Sequence, residues 1–239
     1  MPLPKIATPT YELELPSSGE TIKYRPFLVK EEKLLVIALE SEDNKQITNA
    51  IKVVLKNCIL TKGIKVETLP TFDIEYLFLN IRGKSVGEEI EVNVTCPDDG
   101  ETQVKTTINL DDIEVQKDDN HTNKIKVDDS IMMEMKYPSL EQFIKNNFDF
   151  NDDNNIERSF DLIGSCIDKV YNEEEVWSLA DCTKKEIDTF LEQMNSSQFQ
   201  EIEKFFETMP KLSHSVKLKN PNTGVESDVL LEGLASFFG

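Results

Sequence analysis

The chain has 239 residues, of which 45 are Asp or Glu and 26 are Lys or Arg, giving a formal net charge of −19. That field excludes a grip on nucleic-acid phosphates, which needs clustered cations to displace counterions, and it disfavours binding to anionic membrane surfaces. With 38% hydrophobic residues and 13 Phe there is enough apolar material for a real core, so global disorder is excluded too.

The acid is unevenly placed. Residues 1–110 carry 17 acidic and 13 basic side chains, a net of −4; residues 111–239 carry 28 and 13, a net of −15. No run reaches the ~18 to 20 apolar residues that span a bilayer. The opening MPLPKIATPT has three prolines and no long apolar stretch, so it reads as an extended arm and not as a signal peptide. Four cysteines without such a signal are expected to be reduced thiols in a cytosol.

In chain order, Tyr11, Leu13 and Leu15 alternate with polar residues, Pro16-Ser17-Ser18-Gly19 supplies a turn, and Ile22 and Tyr24 resume the alternation, which predicts a β-hairpin. A helix is expected over Val29 to Leu39. Ile47, Ala50, Ile51, Val54, Leu55, Cys58 and Ile59 recur at helical spacing, with Asp43 as N-cap and Gln46 in the reciprocal capping position. Ile74, Leu77, Phe78 and Ile81 draw a third helical stripe after Pro70. The period then changes to two: Ile90, Val92, Val94 and Cys96, a CPDDG turn at 96–100, and Val104, Thr106, Ile108 and Leu110 on the return. The acidic segment Asp111 to Asp129 has few apolar residues and reads as a linker or long solvated loop.

Beyond it, Met133, Met135 and Tyr137 predict a strand before Pro138 and a short helix. Ile156, Phe160, Ile163, Cys166, Ile167 and Val170 predict a long helix. Thr183-Lys184-Lys185-Glu186 is a capping box opening a helix, and Ser197-Gln198-Phe199-Gln200 starts another that Pro210 stops. Val216 and Leu218 lead into the turn Asn220 to Gly224, with Val229 to Leu231 returning. The fold class expected is therefore α+β, helical layers carrying short antiparallel β-hairpins.

The second half reads as a repeat of the first. VNVTCPDDG at 92–100 matches VKLKNPNTG at 216–224 with an offset of 124, sharing Val, Pro and Gly. IKYRP at 22–26 pairs with EMKYP at 134–138, and AIKVVLKNCI at 50–59 with SFDLIGSCID at 159–168. A tandem duplication of one module accounts for this; the plainer alternative is that α+β chains often hold two hairpins and two helix pairs. The partition expected is module one at 1–112, an acidic linker at 113–130, and module two at 131–239.

No catalytic residue, metal ligand or cofactor is assigned. The two histidines, His121 and His214, lie outside any nucleophile motif, and no GxxxxGK[ST], GxGxxG, HExxH or GxSxG string occurs. Residues 149–160 imitate an EF-hand opening but put Asn154 where the sharp turn needs Gly and Phe160 where the bidentate Glu belongs. CPDDG keeps one thiolate of a CPxCG zinc knuckle, Cys96, with Asp99 in the second position and Asn220 and Thr223 in the matching turn, and one thiolate does not hold a structural zinc. The rival class is a metal-dependent or carboxylate hydrolase, a lysis or tail-associated enzyme. At the C-terminus, Leu234, Phe237 and Phe238 share one helical face, which either docks on the core or binds a partner.

The run PTFDIEYLFLNIRGKSVGE at 70–88, followed by VNVTCPDDG, resembles the baseplate hub protein family of T-even-like contractile-tailed bacteriophages, hub subunit or hub assembly protein, over residues 1 to 235 in order of elements. The resemblance implies a non-enzymatic role in baseplate assembly, through binding to other phage baseplate hub and tail proteins, as a hub component or an assembly chaperone. Its place would be the virion tail baseplate or the host cytoplasm during assembly. Asp73, Glu75 and Arg82 then become candidate recognition charges on a helix surface, alongside Leu234, Phe237 and Phe238.

Overall fold

The computed structural model describes residues 6–41, 43–140, 155–233 and 236. Six helices and several small antiparallel sheets among them make an α+β fold. The first hairpin joins β1 (Tyr11–Glu14) to β2 (Thr21–Tyr24), with Leu13 opposite Ile22. Gly19 closes its turn at φ 70°, a left-handed conformation that Gly adopts without steric strain. Helices α1 (Val29–Glu40) and α2 (Asn44–Cys58) follow. The Asp43 carboxylate caps α2 by accepting from the Lys45 and Gln46 amides at 2.8 and 3.3 Å. The predicted stripe of α2, from Ile47 to Cys58, is buried throughout, each large aliphatic worth roughly 1.5–3 kcal/mol of transfer free energy. A short 3-10 turn at Val66–Thr68 leads to α3 (Thr71–Val86). The hairpin β3 (Glu89–Thr95) and β4 (Gln103–Asn109) comes next, with Ile90, Val92 and Val94 turned inward.

The acidic segment expected as a solvated linker holds structure instead. Within it, β5 (Glu114–Gln116) and β6 (Lys124–Lys126) each form around a single central apolar residue, Val115 or Ile125, that packs against a core. After β6 come β7 (Met132–Met135), α4 (Asn155–Cys166), β8 (Ile167–Tyr171) and β9 (Val176–Ser178), building a four-stranded antiparallel sheet in the order β6-β7-β8-β9. The helix predicted through Val170 ends at Cys166: Ile167 and Val170 pair with β7 as strand residues, where their β-branched side chains suit the pleat. Helices α5 (Lys184–Glu192) and α6 (Ser196–Thr208) complete this second core, which gathers Met133, Met135, Ile163, Cys166, Ile202 and Phe205. The short helix expected after Pro138 and the C-terminal helix lie outside the described residues, Leu140 and Ser236 excepted.

The final hairpin, β10 (Lys211–Lys219) and β11 (Glu226–Glu232), belongs to the other core. Its inward residues Leu212, Val216, Leu218 and Leu231 pack with those of the first half. β5 and the start of β10 pair antiparallel, so the strand on which the chain leaves the first core lies beside the strand on which it returns. The first core thus gathers residues from 11–115, Leu140 and the final hairpin, and the second gathers residues between 125 and 206: alternation places a hairpin in a core but does not say whose.

Candidate partner-binding surfaces

Helix α1 packs an apolar face on the core and leaves further apolar side chains exposed on its outer side. Leu34, Leu35 and Ala38 turn to the core, while Val29, Val36 and Ile37 stand 78%, 48% and 52% exposed on the other side. An ordinary surface helix presents one apolar stripe and a polar back, so these exposed apolar side chains, set among Lys33 and Glu40, make the outer side a candidate docking surface. The helix is firmly seated. Glu31, 2% exposed, accepts from the Arg25 guanidinium at 2.9 Å and from the Leu28 amide at 2.9 Å. Burial pushes its carboxyl up, and these hydrogen bonds outweigh that and hold it below the usual carboxylate range.

The charges expected on the surface of α3 are placed otherwise. The whole first turn, Thr71 to Glu75, is buried. Asp73 is fully buried and accepts from the Ser17 amide at 3.0 Å and from the Ser17 hydroxyl. Burial raises its carboxyl above the ordinary value, against the pull of those hydrogen bonds. Glu75 is 8% exposed and Arg82 is half-buried. The start of α3 lies at the seam between the two cores: the Thr71 amide and hydroxyl both donate to the Pro138 carbonyl, at 3.1 and 2.7 Å, and Phe72 meets Tyr137 edge to face at 5.0 Å. Helical periodicity sees one packed face; a helix clasped between two cores buries its charges as well. Leu234, Phe237 and Phe238 lie outside the described residues.

His121, read as a loop residue, stands in that seam. Its ring nitrogens lie 2.9 Å from Thr208 Oγ1 and 2.9 Å from Tyr137 Oη, its ring stacks on Tyr137, and burial lowers its pKa. His214 is half-buried, with Nδ1 3.2 Å from the Asp112 carbonyl.

The CPDDG and NPNTG turns, matched in sequence, meet in space. Asn220, 1% exposed, donates from Nδ2 to both oxygens of Asp98 at 3.0 and 3.1 Å and to Asp99 Oδ2 at 2.9 Å. Thr223 Oγ1 donates to Asp98, and Asn222 Nδ2 donates to Thr102 Oγ1 at 2.9 Å. Asp98 is held below the ordinary carboxylate range by Asn220 and Thr223, and Asp99 by Thr102 and Asn220. Of the four positions that two thiolate pairs would take, Asp99, Asn220 and Thr223 are joined through hydrogen bonds from neutral donors to the carboxylates of Asp98 and Asp99, and Cys96 is tied in by its backbone. The Cys96 thiol is pushed up by its burial and by the two neighbouring carboxylates, the reverse of a metal-ready thiolate. Among the described residues no group of three or more His, Cys, Asp or Glu side chains could hold a metal ion, and no helix is long and apolar enough to cross a membrane.

Compared with known proteins, residues 8–239 match the family described as T4 bacteriophage base plate protein. No curated protein and no solved structure matches the chain.

Proposed function

We infer the role of this chain from its membership: it belongs to the T4 bacteriophage base plate protein family, which its sequence matches over residues 8–239, and its role is therefore structural, in the tail baseplate. Within that role we propose a hub component or hub assembly chaperone that acts by binding other hub and tail proteins, in the baseplate or in the host cytoplasm during assembly. The observation that carries a binding role is α1, a helix locked in place from inside by Glu31 and Arg25 while offering Val29, Val36 and Ile37 to solvent. The hub assignment is supported by the likeness of the 70–88 segment to hub proteins.

Co-expression with the other tail proteins and affinity capture tests it. The double substitution V36E/I37E is expected to reduce capture of its hub partner at least ~10-fold while leaving stability within about 0.5 kcal/mol, since both residues are surface residues here. Capture of no tail protein by the wild type, or undiminished capture by the variant, overturns the reading. Mass spectrometry of purified virions separates the two versions: a fixed copy number indicates a subunit, and absence from particles with binding in lysates indicates a chaperone.

A further inference from the structure

The second core carries a feature the first lacks. After β8 the chain reverses through Asn172 to Glu175 into β9, the edge of the four-stranded sheet, which pairs only with β8 among the described residues. β9 carries the chain's single tryptophan, Trp177, 41% exposed, beside Val176 at 66%. Between this edge and α5 lies an apolar cavity of about 340 Å³ lined by Ile131, Val170, Trp177, Leu179, Ile187 and Phe190. A hydrocarbon groove open to water beside an edge strand is the geometry that takes an extended segment of another chain, backbone along the edge and one side chain in the pocket.

The charge around it says what kind of segment. Residues 167–192 hold eight acidic side chains against three lysines. Lys169 is paired with Glu134 at 3.1 Å and Lys184 with Asp161 at 2.7 Å, which leaves Lys185. The β8–β9 turn projects Glu173, Glu174 and Glu175 into solvent, and no ion pair among the described residues engages any of them. Glu186 at the groove is returned to its own helix, accepting from the Thr183 amide and hydroxyl.

We propose that the groove beside β9 binds a basic, extended segment of a partner protein, which places one aliphatic or aromatic side chain against Trp177 and its cations near Glu173 to Glu175. This extends the protein-binding role to a second surface; the test below reads the groove alone, so its failure leaves the α1 experiment standing and the converse holds.

Trp177, as the sole tryptophan, reports directly. The full-length chain is titrated with capped decapeptides that alternate Lys with Ile, Glu with Ile, or Lys with Ser, and Trp emission is followed. The Lys–Ile peptide is expected to give a saturable blue shift, with the other two binding at least ~10-fold more weakly, and the affinity is expected to fall as salt rises. The triple substitution E173Q/E174Q/E175Q, which touches only exposed side chains, is expected to weaken Lys–Ile binding about 10-fold. No saturable change overturns the proposal. So does equal binding of the Lys–Ser peptide, which would mean charge without an anchor, or of the Glu–Ile peptide, which would mean an apolar contact without the acidic rim.

Discussion

The two cores solve one closure problem with the same backbone and different side chains. In the first, α2 ends at Cys58, whose carbonyl accepts from the Arg25 amide at 2.9 Å, and Ile59 bridges to Tyr24. In the second, α4 ends at Cys166, whose carbonyl accepts from the Lys136 amide at 2.7 Å, and Ile167 pairs with Met135. Both thiols are buried and pushed up to about 11. The side chains then diverge. Arg25 turns its guanidinium inward to the buried Glu31, whereas Lys136 is exposed. The first core builds on this lock a helix with an apolar outer face. The second adds β9, Trp177 and an acidic turn. Residues 117–210 carry a net of −12, against −7 for the rest of the chain, so the two cores present surfaces of unlike charge.

If the Arg25–Glu31 lock is what distinguishes the first core, Glu31→Ala should be the most damaging of the stability variants. It leaves a largely buried guanidinium without its carboxylate and frees the Leu28 amide, an expected loss of about 3 kcal/mol by urea denaturation. Lys136→Ala, its counterpart, should change little. Equal losses from the two would dissolve the distinction.

The hairpin turns probe the point where the two sequence-matched turns touch. Asn220→Ala removes a buried donor to two carboxylates, and about 2 kcal/mol of stability is expected to go with it. Asn220→Asp should be worse at pH 7, since a third carboxylate joins Asp98 and Asp99, and should recover as the pH falls towards 4 and the cluster takes up protons. For the wild type the sign is opposite. Asp98 and Asp99 have lowered pKa values in the fold, so the stability they supply is present above the unfolded value of about 3.9 and is lost as pH falls through the folded ones. Parallel pH profiles for Asn220→Asp and the wild type would show that the turns are not electrostatically coupled.

Local order was legible in the sequence because its signals are local. The hairpins at 11–24 and 89–109, the Asp43 cap and the Thr183–Glu186 capping box all appear as the residues dictate. What escaped was anything set by a distant partner. Three-residue strands such as β5, β6 and β9 have no period to read, and they exist because β10, β7 and β8 lie beside them. The burial of Asp73 comes with the Ser17 turn and that of Thr71 with the seam at Pro138, neither visible within α3. Pairing IKYRP with EMKYP by their prolines sets Arg25 against Tyr137; the hydrogen bonds to Cys58 and Cys166 set it against Lys136, one residue away. The exposed stripe on α1 was in the sequence as Val29, Val36 and Ile37, where helical periodicity alone does not separate a core face from a docking face.

The smallest effect is the most discriminating. Asp73 and Glu186 occupy the same place, third residue of the helix that follows a 3-10 turn anchored by one buried residue, Val66 or Leu179. Glu186 accepts from Thr183 in water and is lowered; Asp73 accepts from Ser17 in the dry seam and is raised, because burial there exceeds what the hydrogen bonds return. A raised carboxyl stabilises the fold only below its unfolded pKa, and that contribution is lost as pH rises through the folded value; a lowered one behaves in the opposite way. Asp73→Asn keeps an acceptor for the Ser17 amide and adds a donor for its hydroxyl without a charge to desolvate. It should therefore raise stability at pH 7, and the gain should vanish as the pH falls through the raised pKa of Asp73, where the wild type binds its proton. Glu186→Gln should instead lose stability at pH 7 and match the wild type in acid. Thermal melts of the two variants across pH 4 to 8 decide it: curves that diverge from the wild type in opposite directions mean that the cores differ in burial at a shared position, and a uniform loss for Asp73→Asn would mean that the seam uses the ionised carboxylate, with Lys117 as its counter-charge.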